Sequence, residues 1–154
     1  LIRPIEPQDA QREQAFVRGL SPESRYFRFM NTLRELSPEM LERFTHPDAA
    51  REIALVALTA DQAQQIGVAR CAALGERDAW EFAIVIADAW QGRGLGSHLM
   101  RELIWAARAH GVPQIEGLVL AENHRMLELM HALGFDIATS AEDVRVRRVL
   151  KSLH

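Results

Sequence analysis

Apolar and polar positions recur along this chain with two different periods, and each change of period marks a new element. Ile2 to Ile5 reads as a short strand, and a helical stretch follows from Pro7 to Gly19. Ser21-Pro22 and Ser37-Pro38 each set a serine, whose hydroxyl can accept from a free helix N–H, before a proline at the first helical position. A helix is predicted to start at each. Ile53 to Thr59, Gln65 to Ala73 and Trp80 to Ala87 are apolar runs joined by short polar connections, which predicts three strands in antiparallel hairpins. Leu99, Met100, Leu103, Ile104 and Ala107 then repeat at helical spacing between Ser97 and His110, and Gly111 with Pro113 closes that helix. Ile115 to Leu120 is the next strand, Asn123 to Leu133 the next helix, and Phe135 to Ala138 with Val144 to Leu150 a final strand pair. The order β-α-α-α-β-β-β-α-β-α-β-β predicts an α/β fold in which one mixed, mostly antiparallel sheet carries helices on both faces.

The most informative stretch is Gln91-Gly92-Arg93-Gly94-Leu95-Gly96, because it joins the apolar run Phe82 to Ala87 to the amphipathic segment Ser97 to His110. A helix start exposes unpaired N–H groups at the positive end of the helix dipole, and glycines let that backbone approach a bulky anion. The ligand expected there carries phosphate. A nucleotide-triphosphatase loop would end in Gly-Lys-Ser/Thr, whereas Gly96 precedes Ser97 and His98. A dinucleotide fingerprint would need glycine or alanine at Ser97 and a position near the start of the chain.

Composition narrows the classes further. With 154 residues, 48% hydrophobic and 25% charged, the chain has the length and balance of one globular domain spanning residues 1 to 154. A net charge of −3 leaves no electrostatic footprint for nucleic acid, and no apolar run reaches the roughly 18 residues of a membrane helix. The single cysteine, Cys71, excludes an internal disulfide framework and suits a reducing cytoplasm. No signal peptide pattern opens the chain, which agrees with that compartment, and the first residue is Leu1 and not methionine, so a fragment of a longer, fused protein is one expectation.

The loop fits the pattern Gln/Arg-x-x-Gly-x-Gly/Ala. With Asp88-Ala89-Trp90 before it, and Asn123 and Leu133-Gly134-Phe135 after it, the chain resembles the GNAT family of N-acetyltransferases. Leu20-Ser21-Pro22-Glu23-Ser24-Arg25-Tyr26-Phe27-Arg28-Phe29, Arg51 to Ala57 and Trp80-Glu81-Phe82-Ala83 are similar to the acetyltransferase domain of bacterial protein lysine acetyltransferases of the Pat type. The resemblance implies acetyl-CoA as donor, no metal, and an amine acceptor: a protein lysine, or else a small-molecule amine. It also implies a possible fused acyl-CoA-synthetase-like domain. A non-catalytic acyl-CoA sensor is the alternative from a different class.

Residue by residue, the resemblance assigns the pyrophosphate to Gln91, Gly92, Arg93, Gly94, Leu95, Gly96 and Ser97. It assigns the pantetheine arm and the thioester oxygen to backbone N–H groups of Ile84, Val85 and Ile86, and a further cofactor contact to Asn123, which can equally be a helix N-cap. One of Arg93, His98 and Arg101 reaches a phosphate, or all three lie on a solvated face. A lysine amine with an ordinary pKa near 10.4 needs a base. Glu81, on the strand feeding the loop and expected to be partly buried, is the candidate, with Glu52 and Glu116 as alternates. Many family members carry a tyrosine acid where this chain has Met130, so solvent is left to protonate the departing thiolate. Tyr26, Arg25 and Arg28 would border the acceptor groove, where the arginines either orient an acidic stretch or lie in solvent. Cys71 is either a small buried hydrophobe or an acetyl carrier.

Overall fold

The computed structural model describes residues 1–30 and 33–153. Strand β1 (Ile2–Pro4) and a 3-10 turn (Pro7–Asp9) lead into α1 (Ala10–Gly19), α2 (Pro22–Phe29) and α3 (Pro38–Thr45). Strands β2 (Glu52–Leu58), β3 (Gln65–Ala73) and β4 (Ala79–Ile86) follow, and a second 3-10 turn (Asp88–Trp90) precedes α4 (Leu95–His110). β5 (Gln114–Leu120), α5 (His124–Ala132), β6 (Asp136–Thr139) and β7 (Val146–Ser152) complete the predicted order. Both Ser-Pro starts form as read: Ser21 accepts from the Ser24 N–H and Ser37 from the Met40 N–H. Two element starts shift by two residues. α4 begins at Leu95 because Gly94, at φ 84°, turns the chain straight into the helix. The last strand begins at Val146 because the Asp143 carboxylate accepts from the Arg145 N–H at 2.9 Å and holds a turn there.

The seven strands form one sheet in the order β1-β2-β3-β4-β5-β7-β6, with β4 and β5 the parallel pair. Both faces are covered. On one, Leu99, Met100 and Leu103 of α4 are fully buried against Phe82, Ile84, Ile86, Ile115 and Val149. On the other, Phe16, Val17 and Leu20 cover Val56, Leu58, Val68 and Val85. The period of two along β4 therefore sends Phe82, Ile84 and Ile86 toward α4, and Glu81, Ala83 and Val85 toward α1.

One irregularity positions everything else. β4 pairs with β3 from Trp80 to Ile86, and β5 pairs with β7 along its whole length, yet β4 and β5 pair only at Ala79–Glu81 with Gln114–Glu116. Beyond Glu81 the sheet parts. At the vertex the Phe82 ring lies directly over Gly117, where an added Cβ would meet three ring atoms at 2.9 to 3.2 Å, and on its other side the ring packs against Phe135 with centroids 5.3 Å apart. No methyl fits between strand and ring. Gly117→Ala is expected to cost about 1–3 kcal/mol through overpacking and to lower the melting temperature by several degrees in a thermal melt. A variant that melts with the parent would show that the ring can move aside.

Candidate active site

The parting of β4 from β5 opens a cleft of about 640 Å³. Phe82 to Ile86 form one wall, Gly117 to Val119 the other, and the Gln91–Ser97 segment and the start of α5 close one end, while Phe27 and Arg28 of α2 stand at its side. Backbone alternation decides which β4 groups face the opening. The Ala87 N–H donates to the Ile66 oxygen on β3, so by the two-residue alternation of an antiparallel ladder the Val85 and Ala83 main chains also turn to β3. Those of Phe82, Ile84 and Ile86 turn to the gap. Val85 lines the cleft, but its N–H is committed to the ladder, so the expectation of a free donor there is corrected; Ile84 and Ile86 keep theirs.

Gly92 and Gly94 sit at φ 76° and 84°, the left-handed region, with open space where a Cβ would stand. Glycine is needed there for backbone conformation, not for room. The turn delivers the chain into α4 so that the N–H groups of Leu95, Gly96 and Ser97, which have no partner one turn back, form the positive end of a sixteen-residue helix. That end is a ready anion site.

Side chains lock the turn in place. The Gln91 amide donates to the Ile86 oxygen at 3.0 Å and accepts from Arg125 at 3.0 Å. Asp88 accepts from the Ser21 N–H at 3.0 Å, the Ser21 hydroxyl at 2.8 Å and the Ser24 hydroxyl at 2.9 Å, which ties α2 to the turn. Burial works to raise the Asp88 carboxyl, and these donors outweigh it, holding it below its ordinary value. Neither the tie of Ser21 and Ser24 to Asp88 nor Arg125 was picked out from sequence. Arg125 carried one available signal, its place two residues after Asn123 at the start of a helix.

Of the residues named from sequence, the cleft gathers Ile84, Val85, Ile86, Gln91, Gly92, Gly94, Gly96, Ser97 and Asn123. Asn123 also caps α5, accepting from the Met126 N–H. It leaves others outside. The Arg93 guanidinium stacks on the Trp90 ring at 5.1 Å, and the Leu95 side chain lines a second recess with Ile66 and Trp90, leaving only its backbone to the site. His98 borders that same recess, 3.6 Å from the Glu102 carboxylate, and Arg101 is exposed on α4 away from the cleft.

Glu81 is exposed, which corrects its expected partial burial. Its cross-strand neighbour on β3 is Ala72, and Ala83 follows it on the same face, two small side chains that leave it uncovered on those sides. It stands at the rim, next to the cleft-lining Ala83. Glu116, its partner on β5, is buried with Arg77 at 2.8 Å on one oxygen and Arg148 on the other, a structural ion pair with no oxygen left for proton transfer. Glu52 lies a strand farther away, beyond Ala72. Met130 is wholly buried in the α4-side core, and from α5 it is His124, Arg125, Met126, Glu128 and Leu129 that reach the cleft. Cys71 is fully buried and burial pushes its thiol up to about 12, which removes it as an acetyl carrier.

An open helix start behind a glycine turn, a parted strand pair and an exposed carboxylate at the rim are the features this fold sets side by side, and comparison with known proteins shows the family that shares the fold. Residues 1–136 match the acetyltransferase (GNAT) domain, and the chain belongs to this family of acetyltransferases. It is 40% identical over 137 residues to Acetyltransferase PA5475 of Pseudomonas aeruginosa, covering 88% of this chain and 74% of that protein. To Acetyltransferase Pat of Mycolicibacterium smegmatis it is 32% identical over 134 residues, 86% of this chain but 40% of Pat. The solved GNAT domain of S. lividans PAT superposes with a TM-score of 0.90 at 31% identity, over 98% of this chain and 89% of that one. Family membership implies an acyl-CoA donor. Among the described residues no helix is long and apolar enough to cross a membrane.

Acetyl-CoA at a hundredfold excess over its Kd is expected to stabilise the fold by about 2.7 kcal/mol. Gly94→Glu, which puts a carboxylate at the helix start and a side chain on left-handed backbone, should abolish most of that gain. Thermal shift with and without acetyl-CoA measures both, and a parent protein unmoved at millimolar ligand would remove the donor from this cleft.

Proposed function

We propose that this chain transfers the acetyl group of acetyl-CoA directly to the side-chain amine of a protein lysine. The observation that carries the reading is the single path along β4, from the open N–H groups of α4 past the gap-facing N–H groups of Ile86 and Ile84 to Glu81. Acetyl-CoA supplies an acyl group already activated as a thioester. The first turn of α4 and the glycine turn hold its phosphates. The gap-facing N–H groups of β4 grip the extended arm and polarise the thioester oxygen, and preorganised donors of that kind stabilise the charge that develops on it.

Glu81 receives the proton of the incoming amine, directly or through a water. Its exposure suits an acceptor that arrives from bulk solvent on the surface of another molecule, and the half-exposed Leu118 on the facing strand leaves the approach open. Likeness to the Pat proteins over most of this chain supports lysine as the acceptor. Pat of Mycolicibacterium smegmatis extends well beyond the matched part, as does the cAMP-binding acyltransferase from Mycobacterium smegmatis, of which this chain covers 43%. A fused or separate partner domain belongs to the proposal. With Met130 sealed in the core, the departing thiolate, whose ordinary pKa is about 8.5, takes its proton from solvent.

Glu81→Gln keeps size and hydrogen bonding and removes the proton acceptor. Turnover on a lysine peptide at neutral pH is expected to fall by roughly a hundred- to ten-thousandfold, with acetyl-CoA binding retained and part of the loss recovered at high pH, where more amine is neutral. Near-normal turnover would move the base to Glu52 or water. Binding without transfer to any amine by the parent would favour a sensor. Met130→Leu, a nearly volume-conserving change costing less than about 1.5 kcal/mol, should leave turnover almost intact; a large loss in a folded variant that still binds acetyl-CoA would give Met130 a part in the chemistry.

A further inference from the structure

The wall of the cleft nearest Glu81 carries an arginine that no carboxylate of the described residues contacts directly. Arg28 of α2 lines that wall beside Phe27 and Ala83, its guanidinium stacked 4.7 Å from the Phe29 ring. Arg28, Arg43 and Arg70 crowd around Phe44 at 6.0, 5.4 and 4.4 Å. The buried carboxylate on this side, Glu13, is taken by Arg70 at 2.9 Å and Gln65 at 3.4 Å. Among the described residues no carboxylate lies within 4 Å of Arg28 or Arg43, and Glu81 and Glu52 act on the cluster only at longer range.

Burial, with Arg70 beside it, pulls Arg28 down to about 10 from its ordinary value, so its charge is held at a cost that a counterion would relieve. Arg25, one turn earlier, differs. Its guanidinium donates to the Arg18 and Leu20 carbonyls and serves to close the end of α1. The two arginines, equivalent in sequence, are thus separated by structure into one that is structural and one that faces the cleft.

We infer that Arg28 binds a carboxylate flanking the acceptor lysine, so that the chain selects lysines in acidic contexts. The inference rests on the lysine reading above and names its substrate class. The planar guanidinium matches a carboxylate with two parallel bonds, and an Asp or Glu side chain next to the lysine brings one to this wall while the amine meets Glu81.

Paired lysine peptides, identical but for Asp and Glu against Asn and Gln at the flanking positions, test it with acetyl-CoA and the intact chain. The parent is expected to prefer the acidic peptide by about tenfold in kcat/KM, the effect of one charge-assisted hydrogen bond in a partly solvated site, carried mainly by KM. Arg28→Gln should bring that ratio close to one, and Arg28→Lys should retain part of it, which a purely structural arginine would not explain. Should Arg28→Gln fail to fold, the parent's ratio and its decline with added salt decide the matter. Equal use of both peptides by the parent overturns the carboxylate subsite and leaves the lysine reading standing. A preference that survives in Arg28→Gln overturns it as well. Acetylation of small amines but of neither peptide overturns the lysine reading and the subsite together.

Discussion

Ending the β4–β5 pairing after three residues is the constraint on which this structure depends. A central strand that lets go of one neighbour leaves N–H and C=O groups without partners, a costly condition inside a sheet. Here the cost falls where a ligand can answer it. The separation is enforced by packing: Phe82 occupies the vertex, Gly117 yields it space, and Phe135 supports it from behind. Each parted strand keeps its other partner, so the opening weakens neither half of the sheet.

From that opening the rest of the site takes its direction. β4 ends at the turn that starts α4, so one continuous segment supplies both the polar edge of the gap and the positive helix end. Side chains contributed from far along the chain then fix its geometry: Ser21 and Ser24 through Asp88, and Arg125 through Gln91. α2, which brings Phe27 and Arg28 to the cleft, is fastened to the same turn. The glycine turn and the α2 side of the cleft are therefore one connected piece.

Features encoded by neighbouring residues could be read directly from the sequence. The two Ser-Pro helix starts, the apolar stripe of α4 and the glycine turn each depend on a few consecutive positions, and each forms where expected. What escaped depends on partners distant in sequence. Nothing near Glu81 says that Ala72 and Ala83 will leave it uncovered, and nothing near Glu116 announces Arg77 and Arg148. Val85 was read as a free donor because strand alternation cannot be assigned until the pairing partner is known. Placing the start of α4 two residues late carried Leu95 into the loop, and its side chain turns out to face the opposite recess.

The burial of Cys71 has a practical side. The protein's one sulfhydryl is shut inside the sheet–helix core with its ionisation suppressed, so aromatic disulfide reagents that report free thiols by colour have nothing to react with while the fold is intact. With acceptors that carry no accessible thiol, the colour in a reaction mixture then counts released coenzyme A, which makes turnover on unlabelled candidates directly readable without a background from this chain.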